Sequence, residues 1–150
     1  YDGYLVVESL YTDYGGNAHA AARDWPDGAR SPGLLTVTCL QMPDGADYED
    51  WIEHWHGHQS PMSEAMQPRT RYVRNEVVRP LTHGAPPWKA IVEEAWPSAE
   101  HVTDPFLFYT ASDQVELNAN LTIMLESVNK LTDLATLRVN TMSEYLLRSL

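Results

Sequence analysis

The order of strand-like and helix-like segments constrains this chain more than any single motif does. Alternating apolar and polar residues indicate a strand, and apolar residues that recur every three to four positions indicate a helix. Both patterns are clear from residue 34 onward, and turns containing Gly, Pro or Asp separate several of them. In chain order they predict a strand at 34–41, a helix that begins after an Asp47 N-cap, strands at 69–81 and 88–96, a helix at 112–130 with a Ser112 cap, and a strand at 136–147.

This β-α-β-β-α-β order predicts a ferredoxin-like α+β fold, in which an antiparallel sheet carries both helices on one face. The second face of such a sheet is left bare, and we expect Thr36 and Thr38 to lie on it among larger residues. A bare face must be covered by a second unit. The sequence therefore predicts either self-association or pairing with an upstream repeat.

The start of the chain is less regular. Residues 1–12 contain a strand pattern, whereas 13–33 are rich in Gly, Pro, Asp and Asn and predict a loop or linker. The segment YLVVESL at 4–10 echoes YLLRSL at 145–150 when one gap is allowed, and the first residue is not Met. We therefore interpret 1–12 as the tail of a missing upstream repeat and 34–150 as the domain itself.

Net charge and the single cysteine exclude several kinds of partner. The formal charge of −11 repels phosphate backbones and anionic membrane surfaces, so we expect neither nucleic acid nor a membrane as a partner. No apolar run approaches the roughly 20 residues of a membrane helix. Cys39 alone cannot form an internal disulfide, which favours a reducing compartment, and no signal-peptide pattern opens the chain. We therefore expect a cytoplasmic protein.

Positive charge is concentrated in one region despite the acidic total. Five of the ten basic residues fall close together, namely Arg69, Arg71, Arg74, Arg79 and Lys89. They form either a solvated strand edge or one wall of a pocket for an oxygen-rich ligand.

The segment WIEHWHGHQSPMSEAM, residues 51–66, can be interpreted as a metal site, an acid/base pocket or an ordinary amphipathic helix. At about 100° per residue, four apolar side chains share one helix face, namely Trp51, Trp55, Met62 and Met66. Gln59 falls inside that face, His58 lies on its shoulder, and the other two histidines point away.

Neither a metal site nor an unbroken helix is expected in this segment. His54 and His58 have the i, i+4 spacing of zinc-binding helices, but no Glu follows His54 and no third ligand is evident, so we expect no metal. Pro61 lacks an N–H and would press against the carbonyl four residues earlier, so the helix should kink or restart near Ser60. A kink would free backbone polar groups beside Gln59, as in the wall of a ligand pocket.

Several short motifs, taken in order, resemble the EthD-like family of dimeric α/β barrels. The first helix of that family carries two aromatic residues four positions apart, then His, any residue, and Pro-Leu. The residues in that frame are Trp51, Trp55, Gln59, Ser60, Pro61 and Met62. Three further segments of this chain resemble the later strands of the family: RYVRN at 71–75, AIVEEAWPS at 90–98 and SEYLL at 143–147. The resemblance therefore covers about residues 34–149.

The resemblance implies sheets that pair face to face between two ferredoxin-like units, with a pocket between sheet and helices. It also implies cofactor-independent dehydratase or cyclase chemistry on phenolic or polyketide-like substrates. Gln59 stands where the family has His, and an amide does not exchange protons near neutral pH. The proton-transfer role is therefore expected at His58 or His56, or it has been lost.

We thus expect a small-molecule enzyme of the dehydratase, cyclase or isomerase type that uses no cofactor. His58 would be the general acid/base, because His titrates near neutrality. Glu93 or Glu94 would orient it or act as base, and the family's strand pattern favours Glu93 as the inward-facing residue. Trp55, Gln59 and Tyr72 would bind and orient the substrate. Either Arg71 or Arg74 would hold an oxyanion.

Two alternatives remain open at this point. A non-catalytic barrel that binds a ligand or a protein partner is favoured by the Gln-for-His exchange at Gln59. A haem-binding barrel with His56 or His58 as axial ligand is the other, although nothing else in the sequence points to a cofactor.

Overall fold

The computed structural model describes residues 1–148. Its strands are β1 (Tyr4–Thr12), β2 (Leu34–Leu40), β3 (Arg71–Pro80), β4 (Ala90–Trp96) and β5 (Arg138–Met142). Its α-helices are α1 (Tyr48–Glu53), α2 (Ser60–Met66), α3 (Glu100–Thr103), α4 (Pro105–Phe108) and α5 (Gln114–Leu131). A π-helical segment, His54–Gln59, joins α1 to α2.

Within these residues the strands form one antiparallel sheet in the order β1-β3-β4-β2-β5. The predicted α+β class is confirmed, and the arrangement of β2 to β5 is compatible with a ferredoxin-like fold. The predicted N-terminal strand is present as β1, which pairs with the outer edge of β3. The echo between 4–10 and 145–150 extends to residues 149 and 150, which lie outside the described part of the chain, so the upstream repeat stays a prediction.

The helices begin close to the predicted positions, with one correction. Asp47 caps α1 as expected, its carboxylate accepting from two backbone N–H groups. The N-cap of α5 is Asp113 and not Ser112, because Asp113 has extended backbone angles and accepts from the N–H groups of Val115 and Glu116. Ser112 instead donates to the carboxylate of Glu116.

The core forms where the helices pack on one face of the sheet. Trp51 and Trp55 are buried against Tyr72 and Val92 of the sheet and against Leu131 at the end of α5. The indole N–H of Trp51 donates to the carbonyl of Leu131 at 2.8 Å, which satisfies the one polar atom of that ring.

The assignment of Thr36 and Thr38 to the bare sheet face is wrong, since both line a hollow on the helix side. The hydroxyl of Thr36 accepts from the indole N–H of Trp96 at 3.0 Å. By strand alternation, the apolar side chains of Leu35 and Val37 face the opposite side. Among residues 1–148, no helix packs on that open face, which carries the apolar Leu35 and Val37.

The 13–33 segment is a loop, as predicted, but it packs against the domain through several long-range hydrogen bonds. The Tyr14 hydroxyl donates to Glu144 at 2.7 Å, and the Asn17 amide donates to the Arg69 carbonyl at 2.7 Å. The loop ends at Gly33, whose φ of +78° and close approach to the Trp96 carbonyl leave no room for a Cβ.

Among residues 1–148, no helix is both long enough and apolar enough to span a lipid bilayer.

Candidate functional site

A cavity of about 310 Å³ lies between the helix-side face of the sheet and the helices that cover it. Its walls are mostly apolar, with contributions from Val92 and Trp96 of β4 and from Met124 and Val128 of α5. Polar side chains interrupt that surface, namely Thr36, Thr38, Gln59, Ser63, Gln67, Arg69, Tyr72, Glu94 and Thr132. An apolar hollow with few polar groups is the usual form of a small-molecule site.

The π-helical segment places the helix side chains that reach this cavity. Its wider turn is shown by the backbone N–H of Ser60, which bonds to the carbonyl of Trp55, five residues earlier. Pro61 follows at the start of α2, where its missing N–H costs least. The restart predicted near Pro61 therefore exists, and it takes the form of a π turn rather than a sharp kink.

Gln59 points inward, as the helical wheel predicts, and it is only 8% exposed. Its Nε2 lies 3.3 Å from the thioether sulfur of Met124, which is a weak acceptor. Its Oε1 is buried and has no hydrogen-bond partner among the described residues. A free amide oxygen in an apolar wall can accept a hydrogen bond from a ligand.

Arg69 and Glu94 form the charged part of the cavity wall. Arg69 is 1% exposed and donates through Nη1 to Glu94 at 2.8 Å and through Nη2 to Glu64 at 3.1 Å. Burial by itself would lower the pKa of Arg69, but the adjacent carboxylates outweigh it and the pKa is raised. The positive charge of Arg69 is therefore neutralised by carboxylates of the protein itself.

Tyr72 lies beneath the guanidinium of Arg69, whose Cζ is 4.0 Å from the ring centroid. The Tyr72 hydroxyl accepts from the Trp55 indole at 3.3 Å and lies 3.4 Å from Ser60 Oγ. Burial raises the pKa of Tyr72, while the Arg69 cation acts in the opposite direction. The phenol consequently remains protonated near neutral pH, with its hydroxyl engaged by neighbours.

The two residues expected to be catalytic are not in this cavity. His58 is exposed on the outer side of the π segment, where its ring stacks on His54 at a centroid distance of 5.1 Å. Glu93 faces the open side of the sheet and accepts from the Asn75 amide at 3.0 Å. The expectation that Glu93 points inward is wrong, because the residue of β4 that lines the cavity is Glu94.

The two candidate arginines also lie outside the cavity. Arg71 is on the open face, where it pairs with Glu144 at 3.1 Å and with Asp13 at 3.3 Å. Arg74 is buried on the helix side, but it donates to Ser60 and Ser9 and does not line the cavity. The structure thus brings Trp55, Gln59 and Tyr72 together and separates them from the other predicted residues.

Besides Thr36 and Thr38, several polar residues of the cavity are not predicted to lie there. The sequence indicates Arg69 only as one member of a basic cluster and favours Glu93 over Glu94, and it gives no signal for Ser63, Gln67 or Thr132. Glu94 shares its face of β4 with Val92 and Trp96, but Glu93 shares the other face with Ile91 and Ala95, so spacing alone does not identify Glu94.

The histidines do not gather into a site with other ligands. In the described part of the chain, no three His, Cys, Asp or Glu side chains could together hold a metal ion. His54 is bonded to the carbonyl and hydroxyl of Ser127. His56 packs on Trp55 with a buried Nε2, and neither histidine lines the cavity.

Comparison with known proteins gives no family. No model of a protein family matches this chain, and no curated protein matches it.

Proposed function

We propose that this protein binds a small, largely apolar molecule with oxygen substituents in the cavity between sheet and helices. The observation that carries the proposal is the hollow of about 310 Å³ whose wall includes Gln59, a buried residue with an unpaired Oε1. A hollow of this volume would hold about ten water molecules, which is the size of a molecule of one or two rings. Phenolic and polyketide-like compounds, suggested by the EthD-like resemblance, belong to this size class.

A matched pair of α5 substitutions tests the binding proposal. Val128 lines the cavity, whereas Val115 on the same helix is exposed. We expect Val128→Trp to fill the hollow and abolish binding of phenols, alcohols and ketones in ligand-observed NMR. Val115→Trp should leave binding unchanged. Equal binding by both variants, or no binding by the wild type, would contradict the proposal.

Proton-transfer catalysis is a second candidate, and the position of Glu94 favours it. This carboxylate lines the cavity, with Oε1 bonded to Arg69 and Oε2 near only the Thr36 hydroxyl, at 3.5 Å. It could remove a proton from a carbon next to a ligand carbonyl, whose oxygen would take the electron pair as an enolate. If the ligand is a β,γ-unsaturated ketone, the dienolate takes the proton back at its γ-carbon while the double bond moves into conjugation, which completes an isomerisation without a cofactor.

Exchange with deuterated water separates catalysis from binding. If Glu94 is a base, wild-type protein should incorporate deuterium at the carbon beside the carbonyl of a bound ketone. Glu94→Gln should bind the same ketone and incorporate at least a hundredfold more slowly, in line with the contribution of a general base. Thr110→Ala, which alters an exposed hydroxyl, is the control. Equal incorporation by all three proteins would leave only the binding function.

We also propose that the open face of the sheet pairs with a second copy of the chain. In support, Leu35, Val37 and Ile91 lie on that face without a helix over them, and each is only half-buried. Burying such apolar surface stabilises an assembly. A cytoplasmic location is proposed on the basis of the unpaired Cys39.

A further inference from the structure

Gln67 is a second glutamine in the cavity wall, and it has no internal function that the structure explains. It follows the last residue of α2 and is 5% exposed. Its backbone N–H bonds to the Ser63 carbonyl at 2.9 Å. Its side-chain amide forms no hydrogen bond with any residue between 1 and 148, although the residue lines the hollow.

Gln59 and Gln67 are two glutamines in the wall of one cavity, and each has hydrogen-bonding capacity that the described residues do not use. Each residue is more than nine-tenths buried. Gln59 has a buried Oε1 without a partner among residues 1–148, whereas the unbonded amide of Gln67 is not itself sealed off and stays accessible. Buried amide groups are nearly always hydrogen-bonded, because leaving one unpaired costs free energy. A ligand in the hollow would supply the missing partner of Gln59 and could bond to the accessible amide of Gln67.

The charges in the cavity indicate what kind of ligand fits. Among residues 1–148, Arg69 and Glu94 are the charged residues that line it, and they are bonded to each other. Neither is left to compensate the charge of a ligand, and burying an unpaired charge is unfavourable. The amide oxygen of Gln59, by contrast, needs a donor such as a hydroxyl. An uncharged, hydroxylated molecule satisfies both conditions.

The spacing of the two glutamines indicates the distance between the polar groups. Eight residues separate them along a helical run, which is about 12 Å at the usual helical rise. Their side chains converge on the same hollow, so the ligand groups that they bind would be less than about 12 Å apart. Hydroxyls at opposite ends of a two-ring system meet this requirement.

We propose that Gln59 and Gln67 are the specificity-determining residues of the cavity, and that together they select an uncharged ligand with two hydrogen-bonding groups less than about 12 Å apart. This inference rests on the proposed binding function and names the ligand class. It predicts that affinity depends on the presence of both polar groups and not on the apolar frame alone.

Three probes of the same frame test the inference by equilibrium dialysis: naphthalene, 2-naphthol and 2,6-dihydroxynaphthalene. We expect wild-type protein to bind the diol about a hundredfold more tightly than naphthalene, about tenfold per hydrogen bond. Gln59→Met and Gln67→Met should each reduce that ratio to about tenfold, and the double variant should abolish it. Naphthalene affinity should not fall in any of them, because Met keeps the shape of Gln.

The control is Gln114→Met on the exposed first turn of α5, which should retain the full ratio. If a Met variant fails to fold by circular dichroism, the corresponding Leu variant replaces it. An unchanged ratio in both single variants overturns the inference but leaves the binding function intact. A fall in only one variant overturns the assignment of the other glutamine. No binding of any probe to the wild type overturns both proposals.

Discussion

Arg69 is the residue whose interactions connect the cavity to the rest of the molecule. Its guanidinium donates to Glu94, Glu64 and Ser63, and its carbonyl accepts from Asn17 in the N-terminal loop. Removing the cation would leave partly buried carboxylates without a counter-charge, which is costlier than losing an exposed pair.

Replacement of Arg69 should therefore destabilise the fold. We expect Arg69→Met to lower the free energy of unfolding by about 2–4 kcal/mol, after allowing for the partial exposure of its carboxylate partners. Urea denaturation followed by circular dichroism measures this. Arg79→Met, at an exposed position of β3, should change stability by less than about 0.5 kcal/mol. Similar losses in the two variants would contradict this account of the buried network.

His54 and His56 should make stability depend on pH. Burial lowers the pKa of both from the usual 6.5, and for His54 the nearby His58 and Lys130 lower it further, although its bond to Ser127 acts oppositely. A His whose folded pKa is depressed contributes stability above its unfolded pKa, and that stability is lost as the pH falls below it.

We therefore expect the melting temperature to fall between pH 7 and pH 5, and to fall less in His54→Gln than in wild type. A Gln side chain has no proton to gain in this range but can still donate to the Ser127 carbonyl. Differential scanning fluorimetry at both pH values measures the slope. His83→Gln, in an exposed turn, should retain the wild-type slope, and equal slopes in all three proteins would refute the role of His54.

At this scale, the orientation of Gln59 could be predicted and that of Glu94 could not. The tryptophans and methionines of the first helical run define one face clearly, so Gln59 falls on it. In β4, Glu94 shares one face with Val92 and Trp96, just as Glu93 shares the other face with Ile91 and Ala95. Both sets are apolar, and the register of the sheet decides between them.

The π turn is the element that differs most from the prediction. At 100° per residue, His58 falls on the shoulder of the apolar face, but a wider turn rotates it to the outside. Gly57 lies in this turn, and a Cβ at that position would meet nothing within 4 Å. The space around position 57 would therefore admit a larger residue than glycine.

A pair of glycine substitutions tests this view of the elements. We expect Gly57→Ala to raise the free energy of unfolding by about 0.5–1 kcal/mol, because Ala loses less backbone entropy in a helical segment. Gly33→Ala should destabilise strongly, since its Cβ would lie 1.9 Å from the Trp96 carbonyl oxygen at a φ of +78°. Chemical denaturation of both variants provides the measurement. A loss of stability in Gly57→Ala would mean that the π turn itself needs glycine.

The order of the elements was predictable because the two periodicities differ along the chain, but the last strand was not. Residues 136–147 predict one long strand, yet β5 ends at Met142. Beyond it, the Glu144 carbonyl accepts from Ser31 of the loop and Tyr145 pairs with Arg30. Contacts with the 13–33 loop therefore replace regular strand pairing after Met142. The position of the loop depends on the tertiary structure, which no local sequence pattern reveals.

At the scale of the whole molecule, the open sheet face is the surface through which we propose that two copies pair. If a second copy covers it, light scattering should give a dimer at micromolar concentration. Val37→Lys should yield a monomer, because a charge near the middle of that face would have to be desolvated. Val115→Lys, at a 79% exposed position of α5, should remain dimeric. A monomeric wild type would contradict the pairing.

Trp55 and Trp96 are both fully enclosed side chains, and both contribute to the wall of the hollow. Indole emission responds to changes in its immediate surroundings. Because two of the five tryptophans of the chain lie there, the intrinsic fluorescence of the protein should change whenever a guest molecule enters, so that occupancy can be followed without an attached dye.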